Sequence, residues 1–324
     1  MPKKKVELEI GIDETVAVDT EIDIDDLFGL SDDDILSSMT DEDVEEESTT
    51  DDIFETMVVE EDLSTSAPAE SSLSDFIVDI EDSVEHLTWV IYGKNGTGKT
   101  TILSTVDNML VLAAEDGTLS IRDKAKGNAK KIRIDTFRKL EELFWLLKGG
   151  RWADNGVYIP TAKGEYLVKS LGFDTLTKLA EVCMRGVVLK EKEKDTSKDV
   201  ITRTLKDWGV MSERMKYWLM MFKELPLQKV WLCQESANAE DIENDEYSIF
   251  PALNKSLRVF VQSEADIIGR TYIKQISPGK VQFRLSVAPN PTFITKDRTN
   301  VLGGVIPNPK LKTLYNRVFE KEEE

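Results

Sequence analysis

Residues 89 to 103 read WVIYGKNGTGKTTIL, and Gly93 to Thr100 within them satisfy the pattern G-x-x-x-x-G-K-[ST]. A chain of phosphates needs a concave array of backbone N–H groups, which only a loop nearly free of bulky Cβ atoms can present. The N-terminus of a following helix adds a favourable dipole. Gly93, Gly96 and Gly98 supply that freedom, and Lys94, Asn95, Thr97 and Thr101 complete the cradle. Lys99 is expected to reach the outer phosphates, and the Thr100 hydroxyl to bind Mg2+. An apolar strand (WVIY) precedes the loop and an apolar helix (TILSTV) follows it, so the motif predicts a strand–loop–helix unit that binds a nucleotide.

The alternation continues along the chain. Apolar runs predict strands over 88–92, 109–113, 131–134, 166–174, 229–234, 265–273 and 281–287. Helices are expected over 99–107, 137–148 and 176–185, and over about 197–225, where Pro226 stops the last one. In that long helix Leu205, Trp208, Met211, Met215, Trp218, Leu219 and Phe222 recur at spacings of three and four, a stripe that reads as core packing. Strands alternating with helices predict an α/β fold with a mainly parallel twisted sheet and helices on both faces.

Charge divides the chain in two. Residues 1–75 hold 26 acids against three lysines, whereas 76–324 hold 35 acids and 38 bases. The first stretch, nearly free of aromatics, cannot bury enough apolar area to offset its ordering entropy, and is expected to be a disordered acidic tail before one domain over 76–324. Short apolar clusters in it, IDIDDLFGL and DDDILSSM, fit a segment that folds on a partner, and a solubilising tail is the alternative expectation. There is no fifteen-residue apolar run, so neither a signal peptide nor a membrane span is expected. Cys183 and Cys233 lie in apolar sequence, as reduced core thiols of a cytoplasmic protein would. Two Cys and one His make a transition-metal site implausible, and His86 reads as a surface or strand-entry residue.

Two acids stand where the chemistry of a bound triphosphate needs them. Asp174 ends the apolar run YLVKSLGFD; it can support a metal, and it can equally cap the helix that follows. Glu115 follows MLVLAA and could orient water for hydrolysis or be a solvated loop acid. Two stretches offer positive charge. Residues 121–135 have six bases against two acids, while 189–206 mix lysines with acids and read as a mobile surface loop. Neither interleaves aromatics for base stacking.

The order GKNGTGKT, LVLAAEDGT, GFDTLTKL, VWLCQES resembles the core of RecA- and KaiC-type ATPases. The resemblance implies ATP and Mg2+ as ligands, a catalytic Glu115, a metal site at Asp174 beside Thr175, and a polar sensor at Gln234. Further segments, LKDWGVMSERMKYWLMMFKELPLQKVWLCQE, FPALNKSL, EADIIGRTYI and ITKDRTNVLGG, resemble a phage nucleotide-binding family with a shortened RecA-like core, some of whose members anneal single strands. That resemblance implies single-stranded DNA as partner in recombination or replication, and a homo-oligomer in which Lys296 and Arg298 act on a neighbour's γ-phosphate. The charge of the acidic tail suits either a polyanion mimic that lies in a basic groove until nucleic acid displaces it, or a segment that recruits a replication or recombination protein. One departure is ESANAEDIENDEYSIF, which has six acids and no base where RecA proteins contact DNA. An ATP-switched interaction module and a helicase or loader ATPase are the competing expectations.

Overall fold

The computed structural model describes residues 86–115, 117, 121–122, 129–194, 196–197, 199–237 and 248–319. The acidic stretch 1–75, the run 238–247 and the middle of the basic stretch 121–135 lie outside the described residues, and the expectations made for them lie outside with them.

The phosphate-loop strand β1 (Thr88–Gly93) is buried along its whole length. It lies between β8 (Gln228–Ala237) and β10 (Ile267–Ser277) and runs parallel to both. Beyond β8 come β7 (Ser170–Asp174), β2 (Met109–Ala113) and β3 (Ala129–Arg133), again parallel, so six strands deliver their carboxyl ends to one edge. On the other flank β11 (Lys280–Ser286) and β13 (Val305–Pro307) add antiparallel strands. Short β9 (Ile249–Pro251) and β12 (Lys296–Asp297) pair with β8 and β10.

Period-two alternation divides β1 between two cores. Val90 and Tyr92 join a cluster with Leu112, Phe173 and Trp231 under helices α2 (Phe137–Lys148), α3 (Leu176–Lys194), α4 (Leu205–Glu224) and α5 (Lys255–Glu264). Trp89 and Ile91 point the other way, toward α1 (Lys99–Leu103) and α6 (Leu311–Phe319), with Val111, Leu232, Leu285 and Leu314. A strand covered on both faces must be apolar at every position, which is why WVIY reads as a continuous run. The expected architecture, a mainly parallel α/β sheet with helices on both faces, is the one observed. Among the described residues no helix is long and apolar enough to cross a membrane.

Four details depart from the sequence reading. The run 166–174 is two strands: β6 (Gly164–Val168) breaks from β7 at Lys169 and closes a separate antiparallel sheet with β4 (Arg151–Ala153) and β5 (Gly156–Thr161). Helix α1 stops at Leu103, because the Ser104 and Thr105 hydroxyls donate to the carbonyls of Thr101 and Ile102 and compete with the helix ladder. Lysines 190, 192 and 194 ride on the last turns of α3 rather than on a loop. Helix α4 starts at Leu205, where Thr204 and Asp207 form a reciprocal cap worth about 1 kcal/mol. Of its expected stripe, Met211, Met215, Trp218, Leu219 and Phe222 are buried, while Leu205 is exposed.

Candidate functional site

The loop from Gly93 to Thr100 crosses the carboxyl end of β1 and enters α1. Its first glycine permits a close approach: a Cβ on Gly93 would lie 2.4 Å from the carbonyl oxygen of Thr271 on β10. Gly98 has φ +89°, left-handed backbone that few other residues adopt without strain, and the Phe283 ring lies against it. Thr97 braces the curve: its hydroxyl donates to the Lys94 carbonyl at 2.8 Å and meets the Thr271 hydroxyl at 2.8 Å. Lys94, Asn95 and Gly96 form an exposed rim.

Lys99 is buried and curls back under this loop, donating to the carbonyls of Gly93 at 2.5 Å and Lys94 at 2.8 Å. Burial pushes its pKa below the ordinary lysine value, opposed by nearby charge, that of Asp174 foremost and those of Glu235 and Glu115 as well. At the next residue, the Thr100 hydroxyl donates to Asp174 Oδ2 at 3.0 Å, a contact between residues 74 apart in sequence. Thr101 stands half-buried beside it.

Asp174 is 2 % exposed at the end of β7. Burial raises its pKa, with the Glu115 charge adding to the rise while the Thr100 hydrogen bond and Lys99 oppose it. The helix cap that the sequence allowed for Asp174 falls on Thr175 instead, whose hydroxyl accepts from Lys178 N at 3.3 Å. Asp174 is therefore left to face the loop. Glu115 stands two residues past the end of β2, partly exposed, on the same edge of the sheet. Gln234 on β8 lies in register with Gly93, and its backbone N–H donates to the Thr177 hydroxyl at 3.1 Å.

The structure thus gathers Lys99, Thr100, Glu115, Asp174 and Gln234 along one edge. It places Lys296 and Arg298 at the other. Lys296 Nζ donates to the carbonyls of Gln262, Ser263 and Ala265, closing the carboxyl end of α5. Arg298 donates to Asp266 Oδ1 at 2.9 Å and to the Ser263 carbonyl at 3.0 Å. Asp266 itself accepts from Thr88 N, at the start of β1, so this cluster lies a strand's length from the phosphate loop.

One pair at the loop edge escaped the sequence reading. Arg270 on β10 grips Glu235 on β8 with two hydrogen bonds, 2.8 and 3.1 Å, across the end of β1. The Glu235 side chain is only 2 % exposed. In the sequence Glu235 opens an acidic run; in the structure it is the continuation of β8.

A phosphate cradle on a parallel strand, a buried lysine beneath it, and a threonine joined to a strand-end aspartate define the class of P-loop nucleoside triphosphatases. Within that class the chain belongs to the AAA domain family, whose profile matches residues 85–299. Among solved structures, the flagellar accessory protein FlaH from Methanocaldococcus jannaschii is similar at 10 % identity, over 69 % of this chain and 89 % of that one, with a TM-score of 0.33. Among curated proteins none matches.

Proposed function

We propose that the chain binds ATP with Mg2+ at this loop, hydrolyses it, and uses the cycle on single-stranded DNA in recombination or replication. The observation that carries the nucleotide reading is the Thr100–Asp174 hydrogen bond, which joins a hydroxyl and a carboxylate, two hard oxygen donors, beside a loop of backbone amides. Those donors suit Mg2+, which binds proteins through one or two carboxylates and completes its shell from phosphate oxygens and water. Bound there, the ion would neutralise charge on the outer phosphates.

The residues divide the remaining work. Lys99 exchanges the carbonyls of Gly93 and Lys94 for phosphate oxygens, keeping its ammonium hydrogen-bonded throughout. The backbone amides from Gly96 to Thr100 hold the phosphates in place. Glu115 orients a water and takes its proton as the water oxygen bonds to the γ-phosphorus and the bond to the ADP oxygen breaks. Gln234, level with Gly93, reports the terminal phosphate to β8.

Assembly into a homo-oligomer belongs to this reading, since Arg298, with half its side chain exposed, can reach a neighbouring copy. The acidic residues 1–75 are the segment we assign to a replication or recombination partner. A second reading is favoured by the placement of Lys296 and Arg298. Both are committed to α5 of their own chain, as they would be in an ATP-switched interaction module that does not hydrolyse in trans. ATP turnover measured with and without single-stranded DNA, with oligomeric state recorded alongside, separates the two. Stimulation by DNA supports the first, turnover indifferent to DNA but tied to self-association supports the second, and directional unwinding would move the protein to the helicases.

A further inference from the structure

Buried ion pairs are weak contributors to stability, because desolvating two charges offsets most of their attraction. The Arg270–Glu235 pair therefore calls for another reason to exist, and its position supplies one. Arg270 lies in register with Tyr92, the last residue of β1 before the loop, and Glu235 follows Gln234, the partner of Gly93. The two side chains close over the end of β1 from both neighbouring strands. The guanidinium also lies over the Phe293 ring, 4.9 Å from its centroid, which fixes its plane.

A carboxylate as buried as Glu235 must find a cation. Arg270 holds it, and Lys99 stands at the same strand end, its ammonium on the carbonyl of Gly93, the register partner of the Gln234 that precedes Glu235. Among the described residues Lys99 donates to neutral carbonyls alone, which a phosphate can displace, whereas a lysine in contact with a buried carboxylate would have to break an ion pair to serve a nucleotide. We propose that Arg270 is a positioning residue of the phosphate site: by occupying both oxygens of Glu235 it keeps that carboxylate off Lys99 and leaves the lysine available to the triphosphate. Arginine suits the task and lysine does not, because only a planar fork satisfies both oxygens at once.

This inference rests on the nucleotide-binding reading, and the experiment tests the two apart. Mg-ATP affinity is measured by calorimetry for the wild-type chain, Arg270→Ala, Arg270→Lys and the double variant Arg270→Ala/Glu235→Gln. In parallel, mass spectrometry follows the rate at which an amine-reactive ester acylates Lys99. Arg270→Ala is expected to bind ATP about tenfold more weakly or worse, with Arg270→Lys between it and wild type. The double variant is expected to recover the affinity, because the competing carboxylate has gone. Lys99 should acylate severalfold more slowly in Arg270→Ala than in wild type, since contact with the released Glu235 carboxylate would occupy and shield its amine.

Wild-type affinity in Arg270→Ala, or a loss that the double variant does not repair, overturns the proposal. If Arg270→Ala does not fold, the same comparison between Arg270→Lys and Arg270→Lys/Glu235→Gln decides it. Should the wild-type chain bind no ATP, the phosphate-site reading fails, while unequal acylation rates would still show Arg270 shielding Lys99.

Discussion

The two edges of the central sheet bury lysines in different company. At the carboxyl edge Lys99 donates to two carbonyls of a glycine-rich loop, and the charges of Asp174, Glu235 and Glu115 act on it. At the amino edge Lys229, 1 % exposed, donates to the carbonyls of Lys223 and Leu225 at the end of α4, as Lys296 does at the end of α5. Helix ends carry unsatisfied carbonyls and partial negative charge, so these lysines complete a structure. The Lys99 carbonyls belong to a turn that a phosphate can occupy. Burial and carbonyl contacts are alike at the two edges; the two lysines differ in the surrounding carboxylates and in whether a ligand could displace their acceptors.

The sharpest way to break this comparison is to remove each lysine. Lys99→Ala should weaken Mg-ATP binding about a hundredfold or more in calorimetry while leaving chemical denaturation nearly unchanged. A large loss of stability would make it another capping lysine. Lys229→Ala should do the reverse, costing about 3 kcal/mol of stability through a cavity and two stranded carbonyls, with ATP affinity retained.

Lys229 also gives the amino edge a pH signature. Burial, with help from Lys223, lowers its pKa to about 7, far below the ordinary 10.5. Between those values the unfolded chain binds the proton and the folded one does not, so stability should rise with pH across that window. The slope should be smaller in Lys229→Ala, and equal slopes in the two proteins would refute the assignment. Its neutral amine retains two N–H groups for its two carbonyls.

Smaller effects sharpen the same contrast. Lys296→Ala should cost about 2 kcal/mol of stability from the uncapped α5. Arg298→Ala, whose partner lies in an exposed ion pair, should cost less than about 1 kcal/mol. If either substitution instead abolishes turnover in the assembled protein while stability holds, these residues serve a neighbouring subunit as well as their own helix.

The sequence announced the carboxyl edge far better than the amino edge, and the reason is local chemistry. GKNGTGKT must be glycine-rich wherever it occurs, and Asp174 stands out because an apolar run ends on it. Each half of the Thr100–Asp174 contact therefore carries its own signature although 74 residues separate them. Arg270 and Glu235 carry none: their meeting depends on the register of three strands, and neither IIGRT nor CQES hints at the other. Lys296 and Arg298 were visible as a charged triplet, but a triplet does not say at which end of a sheet it will lie. The small antiparallel sheet was missed because its strands are short and its closing turn depends on Gly164 at φ +99°.

The strand order also governs how a ribosome can deliver this protein. Among the described residues β1 is the first strand to be made; it is apolar on both faces and finds its hydrogen-bonding neighbours in β8 and β10, made long after it. Until then the nascent chain carries a strand with two open edges, the kind of surface that chaperones cover. The glycine-rich loop is thus translated before the strands that flank it and assembled only with them, and translation that stops short of Ile267 leaves its strand with one side bare.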